Sequence, residues 1–299
     1  MRGPAGSDQA QGGMLPSIII AGSAAFWGLY WIPLRETEEL GVSPVWSVAL
    51  FNMPLIFVSA VVFLWFFKAN REILGRVMLA GLLAGAGLAL YGMGLMLTTV
   101  VRATLLFYLT PVWGTLIGMM IVGERPGVRR WIALTFGVIG LVLTIGLTPA
   151  DLNLVFGLGE AIGLLSGMVW AVAATVIRSS GGLPSSGLAF FQFAAAGMLT
   201  AAFAFILGEG PLTTEMIGYA FNWYLIIGAT IMLITIYAIF GVIGMVSPGR
   251  SGLLMMTEVV VAVFSAAILI PEEALSFWEW IGAAMIIGAG VIEVTGEEA

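Results

Sequence analysis

The sequence predicts an all-α membrane protein with ten transmembrane helices, built as two inverted five-helix repeats. Three observations carry that expectation. Of the 299 residues, 60% are hydrophobic and only 9% are charged, where soluble domains carry about 25% charged residues. The apolar residues fall in continuous blocks of about twenty, long enough to cross a hydrocarbon core of about 30 Å. Rare residues of the first half also recur, in register, in the second. Strands are disfavoured, because a membrane barrel alternates apolar and polar residues over segments of about ten.

Residues 1–14 are short, polar and glycine-rich, and read as a disordered tail rather than a cleaved signal peptide. Span one, 15–34, carries Ser23, Trp27 and Tyr30 at i, i+4 and i+7, hence on one helix face. Span two, 44–67, opens on Pro44 and contains Asn52 and an internal Pro54 expected to kink it. Trp31 and Trp46 lie near the ends of these spans and are expected in an interfacial aromatic belt. Span three, 77–98, has Gly81 and Gly85 four apart, which permits close helix contact, and Tyr91 towards its middle. Span four, 103–122, holds Tyr108, Trp113 and an internal Pro111 expected to kink it. Span five is 130–148, and Pro149 follows it. Span six, 155–177, has Glu160 near its start, then Ser166 and Trp170. Span seven, 185–207, follows Pro184 and contains Gln192. Span eight, 219–243, lies between Pro211 and Pro248 and carries Tyr237. Span nine, 251–270, contains Glu258 and ends at Pro271. Span ten is 277–295.

The repeat rests on residues that keep register. Arg102, Leu105, Leu106 and Glu124 match Arg250, Leu253, Leu254 and Glu272 at one offset (250 − 102 = 148). Ser23, Trp27 and Arg35 match Ser166, Trp170 and Arg178 at an offset of 143. Pro44, Phe51 and Asn52 match Pro184, Phe191 and Gln192 at an offset of 140. The two units are 15–148 and 149–299. Each has an odd number of spans, so the second enters from the opposite side. Inverted repeats of this kind mark many secondary transporters, with a substrate site at the repeat interface and alternating access as the consequence.

Lys and Arg give the direction. With a cytoplasmic N-terminus, one side receives Arg2, Lys68, Arg71, Arg76, Arg125, Arg129, Arg130, Arg178 and Arg250, and the other only Arg35 and Arg102. That bias places both termini in the cytoplasm. The chain has no Cys and no His. Disulfides, iron–sulfur clusters and thiol chemistry are excluded, and so is the usual near-neutral proton carrier. There is no HExxH, no phosphate-binding loop and no basic tract for nucleic acid. No enzyme, cofactor or metal site is expected. The expected partners are the lipid bilayer and a small-molecule substrate, and ten spans suffice as a monomer.

The runs LTPVWGTLIGMMIVGERPGVRRWIALTFGVIGLVL (109–143) and TEVVVAVFSAAILIPEEALSFWEWIGAAMIIGAGVI (257–292) share a pattern. A span is followed by Gly-Glu or Pro-Glu, a short turn and a Gly-rich span. In this the chain resembles the drug/metabolite transporter superfamily, in its ten-span form with two EamA-like repeats. The resemblance covers nearly the whole chain, and the aromatic-rich helices are most similar to the branch of aromatic amino acid exporters. It implies a bacterial inner-membrane protein that exports amino acids or related metabolites.

Candidate path-lining residues are Trp27, Tyr30, Asn52, Tyr91, Tyr108, Trp113, Trp170, Gln192, Tyr237 and Glu258. Trp27 and Trp170 read either as pseudo-symmetric cavity walls or as packing residues whose indole N–H bonds a neighbouring helix. The tyrosines and Trp113 lie too deep for interfacial anchoring and read as stacking surfaces or helix packing. Asn52 and Gln192 suit a substrate's carboxylate or amine, and equally an interhelical bond. Glu258 is an ionisable residue within a span, which by default marks function or pairing. It shares a face with Ser251, Met255, Ala262 and Ser265, and three readings stand: it attracts a substrate amine, it carries an exchanged proton, or it is a neutral structural acid. Glu124, Glu272 and Glu273 lie at span ends, where solvated or capping roles are expected. Sugar nucleotides are disfavoured because the spans lack buried basic residues; a drug carrier and a membrane receptor or scaffold remain as alternatives.

Overall fold

The computed structural model describes residues 14–117, 127–144, 156–180, 182–219, 221–242, 245 and 254–296. The expected tail, Arg2, Glu124, Arg125, Pro149, Pro248, Arg250 and Ser251 lie outside the described residues, as do the side chains of Pro111, Arg130 and Arg178. Among the described residues the chain is helical and has no strand. The helices are α1 (Met14–Trp27), α2 (Trp31–Glu39), α3 (Pro44–Trp65), α4 (Phe67–Asn70), α5 (Leu74–Leu97), α6 (Val100–Phe107) and α7 (Thr110–Ile117) in the first half. The second half follows α8 (Val128–Thr144) with α9 (Leu158–Ser179), α10 (Ser185–Ile206), α11 (Thr214–Tyr219), α12 (Trp223–Val242), α13 (Thr257–Leu269) and α14 (Phe277–Gly296). Among the described residues, six apolar helical stretches are long enough to cross a membrane and four shorter ones accompany them, in line with the ten expected spans.

Spans one, four and nine are interrupted, span four at the kink expected beside Pro111 and the other two where continuous helices were expected. Span one is broken at Gly28–Tyr30. Leu29, Tyr30 and Ile32 donate three residues back rather than four, and Pro33 has no N–H to offer Leu29. Gly28 is pressed onto span nine, where a Cβ would lie 2.6 Å from the Glu258 carbonyl oxygen. Span four is broken at Tyr108 and Leu109, between α6 and α7. Pro111 cannot donate to the Phe107 carbonyl, and the Thr110 hydroxyl donates to it instead at 2.6 Å. In span nine, Leu254 and Met255 are helical, Met256 turns, and α13 begins at Thr257. Pro54, by contrast, lies within an uninterrupted α3.

Packing is closest where glycines remove side chains. α5 runs along both α9 and α10, and α3 along α10. At Gly85 the backbone of α5 meets the Gln192 carbonyl so closely that no Cβ fits, as the Gly81–Gly85 spacing leads one to expect. Gly87 lies flat against Trp170. α8 and α14 pair mainly with each other. The large outward-facing side chains are apolar, with Trp65 83% and Phe57 74% exposed, as a lipid-facing surface requires.

Trp31 and Trp46 correct the expected aromatic belt. Both are buried. Trp31 Nε1 donates to Ser265 Oγ at 3.1 Å, and Trp46 Nε1 donates to the Gly210 carbonyl at 2.9 Å. A buried indole keeps its N–H satisfied within the protein, so these two tie span one to span nine and span two to the loop after span seven.

Candidate functional site

Glu258 is the second residue of α13 and is 3% exposed. Tyr108 Oη, at the break of span four, lies 2.7 Å from Glu258 Oε2 and 3.1 Å from the Met255 carbonyl oxygen. Tyr91 faces the same carboxylate, and its hydroxyl is 3.1 Å from Thr104 Oγ1. Among the described residues no Lys or Arg pairs with Glu258. The carboxylate therefore rests on hydroxyl groups, at the meeting point of the broken spans one, four and nine.

Aromatic rings surround it. Tyr91 stacks on Phe107 with centroids 4.7 Å apart, and Phe107 lies 5.2 Å from Tyr108 and 6.2 Å from Trp170. Tyr30 lies 6.4 Å from Tyr91 and meets Phe51 edge-on at 4.9 Å. Its hydroxyl points towards the Asn52 side chain without a well-formed bond. Asn52 Nδ2 donates to the Val48 carbonyl at 2.8 Å, which leaves Oδ1 as a buried acceptor. The structure thus brings together Tyr30, Asn52, Tyr91, Tyr108, Trp170 and Glu258.

The other four candidates lie apart from these contacts. Trp27 Nε1 donates to Thr235 Oγ1 at 2.7 Å, tying span one to span eight. Gln192 lies where α5 and α10 meet, Trp113 on α7 and Tyr237 on α12. Trp113 Nε1, Gln192 Oε1 and Tyr237 Oη are nonetheless buried without a partner, as are Tyr30 Oη and Asn52 Oδ1. Ser17 Oγ and Arg35 Nε are the other two such atoms among the described residues. Buried polar atoms normally find a partner, so five of seven falling on one set of residues sets that set apart.

Phe107 and Thr104 were not singled out from the sequence, and Phe51 only as a residue of the repeat. Phe is one of the commoner residues here and has no polar handle; only the position of Phe107 beside the Tyr108 break would have drawn attention to it. A cleft of about 180 Å³ lies next to the cluster, between the α1–α2 break and α12. Phe26, Trp27, Tyr30 and Phe51 line one wall, and Tyr224, Ile227, Gly228 and Met232 the other. Tyr30 lines this cleft and is also a neighbour of Tyr91 in the cluster.

A second polar cluster closes one end of the bundle. Arg35 donates to the carbonyls of Leu95 and Thr98 at 2.9 and 3.0 Å, and pairs with Glu38 at 3.3 Å and Glu273 at 3.8 Å. Arg102 pairs with Glu279 at 3.2 Å and Glu160 at 3.8 Å. Glu160 also accepts from Thr98 Oγ1 and, at 2.9 Å, from the Gly157 N–H at the start of α9. Glu273, in the turn Pro271–Glu273, is buried rather than solvated. Burial pushes its carboxyl above the usual carboxylate range, opposed by the Val101 N–H and by Arg35. Arg35 and Arg102, the two cations of the sparsely basic side, are thus both held by acids.

The described residues contain no group of acids suited to a metal ion. The arrangement can bind a cation or hold a proton at Glu258, and can stack a flat apolar group on its rings.

Comparison with known proteins agrees with this architecture. A search of curated proteins found no match. A solved structure, described only as "Crystal structure of protein", matches 92% of this chain and 95% of its own at 21% identity, with a TM-score of 0.53; that likeness shows the fold alone. The model of the EamA-like transporter family matches twice, over residues 14–146 and 157–294. With nearly all its described helices inside those two matches, the chain belongs to the EamA-like transporter family.

Proposed function

We propose that this transporter exports amino acids, aromatic and other apolar ones, by alternating access around the Glu258 cluster. One observation carries the reading: a buried carboxylate with no cationic partner among the described residues, held by Tyr108 and faced by Tyr91, at the edge of a ring cluster that continues through Phe107, Tyr30 and Trp170. A substrate ammonium is attracted to Glu258 and to the ring faces. Asn52 Oδ1 accepts a further N–H, and the Tyr30 hydroxyl is free to donate to a substrate carboxylate. The rings take the apolar side chain. The aromatic amino acid exporter branch, to which the helices are similar, fits this chemistry.

The absence of Lys or Arg from the cluster, among the described residues, argues against phosphate-bearing substrates. A drug carrier of the same fold is the second reading, since an amine on an aromatic frame meets the same groups. In this reading the chain works in a bacterial inner membrane, its Lys and Arg distribution supports cytoplasmic termini, and its two halves, 15–148 and 149–299, act as one unit.

The test is counterflow of labelled phenylalanine in proteoliposomes, comparing wild type with Glu258→Gln, with and without a pH gradient. Uptake by the wild type is expected. No uptake of any labelled amino acid sinks this reading and turns attention to drugs. A variant that transports but ignores the gradient makes Glu258 the proton site. A variant that matches the wild type under both conditions makes the acid structural.

A further inference from the structure

The hydroxyl of Tyr108 has two acceptors and one hydrogen. Glu258 Oε2 lies 2.7 Å away and the Met255 carbonyl oxygen 3.1 Å away. A phenol donates once and accepts as well. With an ionised carboxylate, the hydrogen goes to Glu258, since charge-assisted bonds are the stronger ones. With a protonated Glu258, the acid itself becomes the donor, Tyr108 accepts from it, and the phenol hydrogen turns to Met255. Both arrangements use the same heavy-atom positions.

The place of this tyrosine gives the switch its meaning. Tyr108 is the break of span four, and Met255 precedes the break of span nine at Met256. These breaks are related by the internal repeat, because Thr110 matches Glu258 at the same offset that pairs Arg102 with Arg250 (258 − 110 = 148). In the first half, Thr110 Oγ1 is fixed on the carbonyls of Phe107 and Gly167. In the second half the equivalent position carries an ionisable acid. At the joint the first half carries Tyr108 where the second has Met256, and the second carries Glu258 where the first has Thr110.

We propose that Tyr108 is a positioning residue, a two-state hydrogen-bond switch that ties the breaks of spans four and nine and reports the protonation of Glu258 to the Met255 carbonyl. The proposal rests on Glu258 being the acid of the site, and is independent of which substrate is carried. The groups that face Glu258 are Tyr108 from span four and Tyr91 from span three, with Tyr91 in turn hydrogen-bonded to Thr104. From span one the Gly28 backbone packs against it and brings no titratable group.

Infrared difference spectroscopy of the full-length protein in lipid nanodiscs, without substrate, tests this. Spectra are taken as pH is stepped between about 4 and about 9, in wild type, Tyr108→Phe and Glu258→Gln, each carrying Tyr219→Phe to remove the phenol bonded to Glu215, with ring-labelled tyrosine. The expected wild-type result is a carboxylic C=O band and a tyrosine C–O band that change together with one midpoint. Glu258→Gln loses the tyrosine change and the Glu258 part of the carboxylic band, leaving the part due to other acids such as Glu273. Tyr108→Phe loses the Tyr108 part of the tyrosine change and keeps the Glu258 carboxylic one, at a shifted midpoint. A tyrosine band that ignores the titration overturns the proposal, as does one that persists in Glu258→Gln, or the absence of any carboxylic band removed by that variant. Should Tyr108→Phe fail to fold, the wild type and Glu258→Gln alone decide it. Because no substrate is present, failure here is separate from failure to transport phenylalanine.

Discussion

At the scale of single residues, a hydroxyl stands in for a missing N–H. Thr110 Oγ1 donates to the Phe107 carbonyl that Pro111 cannot serve. Thr110→Val keeps the shape and removes the donor. It should lower stability by about 1–2 kcal/mol, the cost of a buried acceptor left bare, read from unfolding of the detergent-solubilised protein. Glu273 offers a contrast with a pH dependence. Its carboxyl is held above its ordinary range, chiefly by burial. The folded state then binds more protons than the unfolded state, so the contribution of Glu273 is most favourable at acid pH and declines as pH rises through its folded pKa. Glu273→Gln should therefore raise the melting temperature slightly at pH 8, and this gain should vanish at acid pH, where the wild-type acid is also neutral. A gain that grows on acidification would contradict the account.

At the scale of helices, close approach decides more than hydropathy does. Gly85 of α5 lies against the Gln192 carbonyl of α10 with no room for a Cβ. Gly85→Ala should cost about 1–3 kcal/mol by overpacking, because the obstacle is backbone and cannot rotate away. Gly22→Ala, with nothing near its would-be Cβ, should be neutral in the same assay. The helices themselves were legible, since runs of about twenty apolar residues have one sensible fate in lipid. The Thr110-Pro111 bend was legible as well, because proline's lost donor is a local property. The break at Gly28 was not: Gly28 is one of 40 glycines, and its reason lies in the backbone of span nine, over two hundred residues away. Trp31 and Trp46 were misread for a similar cause. Sequence position gives the depth of a residue along its helix, but not whether it faces lipid or a neighbour. In the site, the buried acid stood out as an ionisable residue in an apolar run. Its hydroxyl partners and the Phe107 ring did not, because nothing in span four alone says which helix it crosses.

At the scale of the whole molecule, the two repeats are not packed alike. α5 runs closely along α9 and α10, while the corresponding span eight, α12, touches α1 and α3 more lightly and borders the cleft. If the halves exchange conformations during transport, α12 should close on α1 as α5 parts from α9. Spin labels on Phe26 and Ile227 across the cleft, and on Leu82 and Val172 along the α5–α9 seam, should give two distance populations each. Their weights should shift in opposite directions when substrate is added. Distances that shorten together, or never change, would refute exchange between the halves.

The ion pairs at the closed end carry a consequence for biosynthesis. Arg102 belongs to the first half, and both of its acids, Glu160 and Glu279, belong to the second. Arg35 likewise reaches Glu273 across the halves. As the chain emerges from the ribosome, the first five spans enter the membrane with Arg102 lacking either acid. That arginine is quieted only when the second half arrives. Expressed alone, the first half should be recognised as unfinished and degraded, and co-expression of the second half as a separate chain should rescue it.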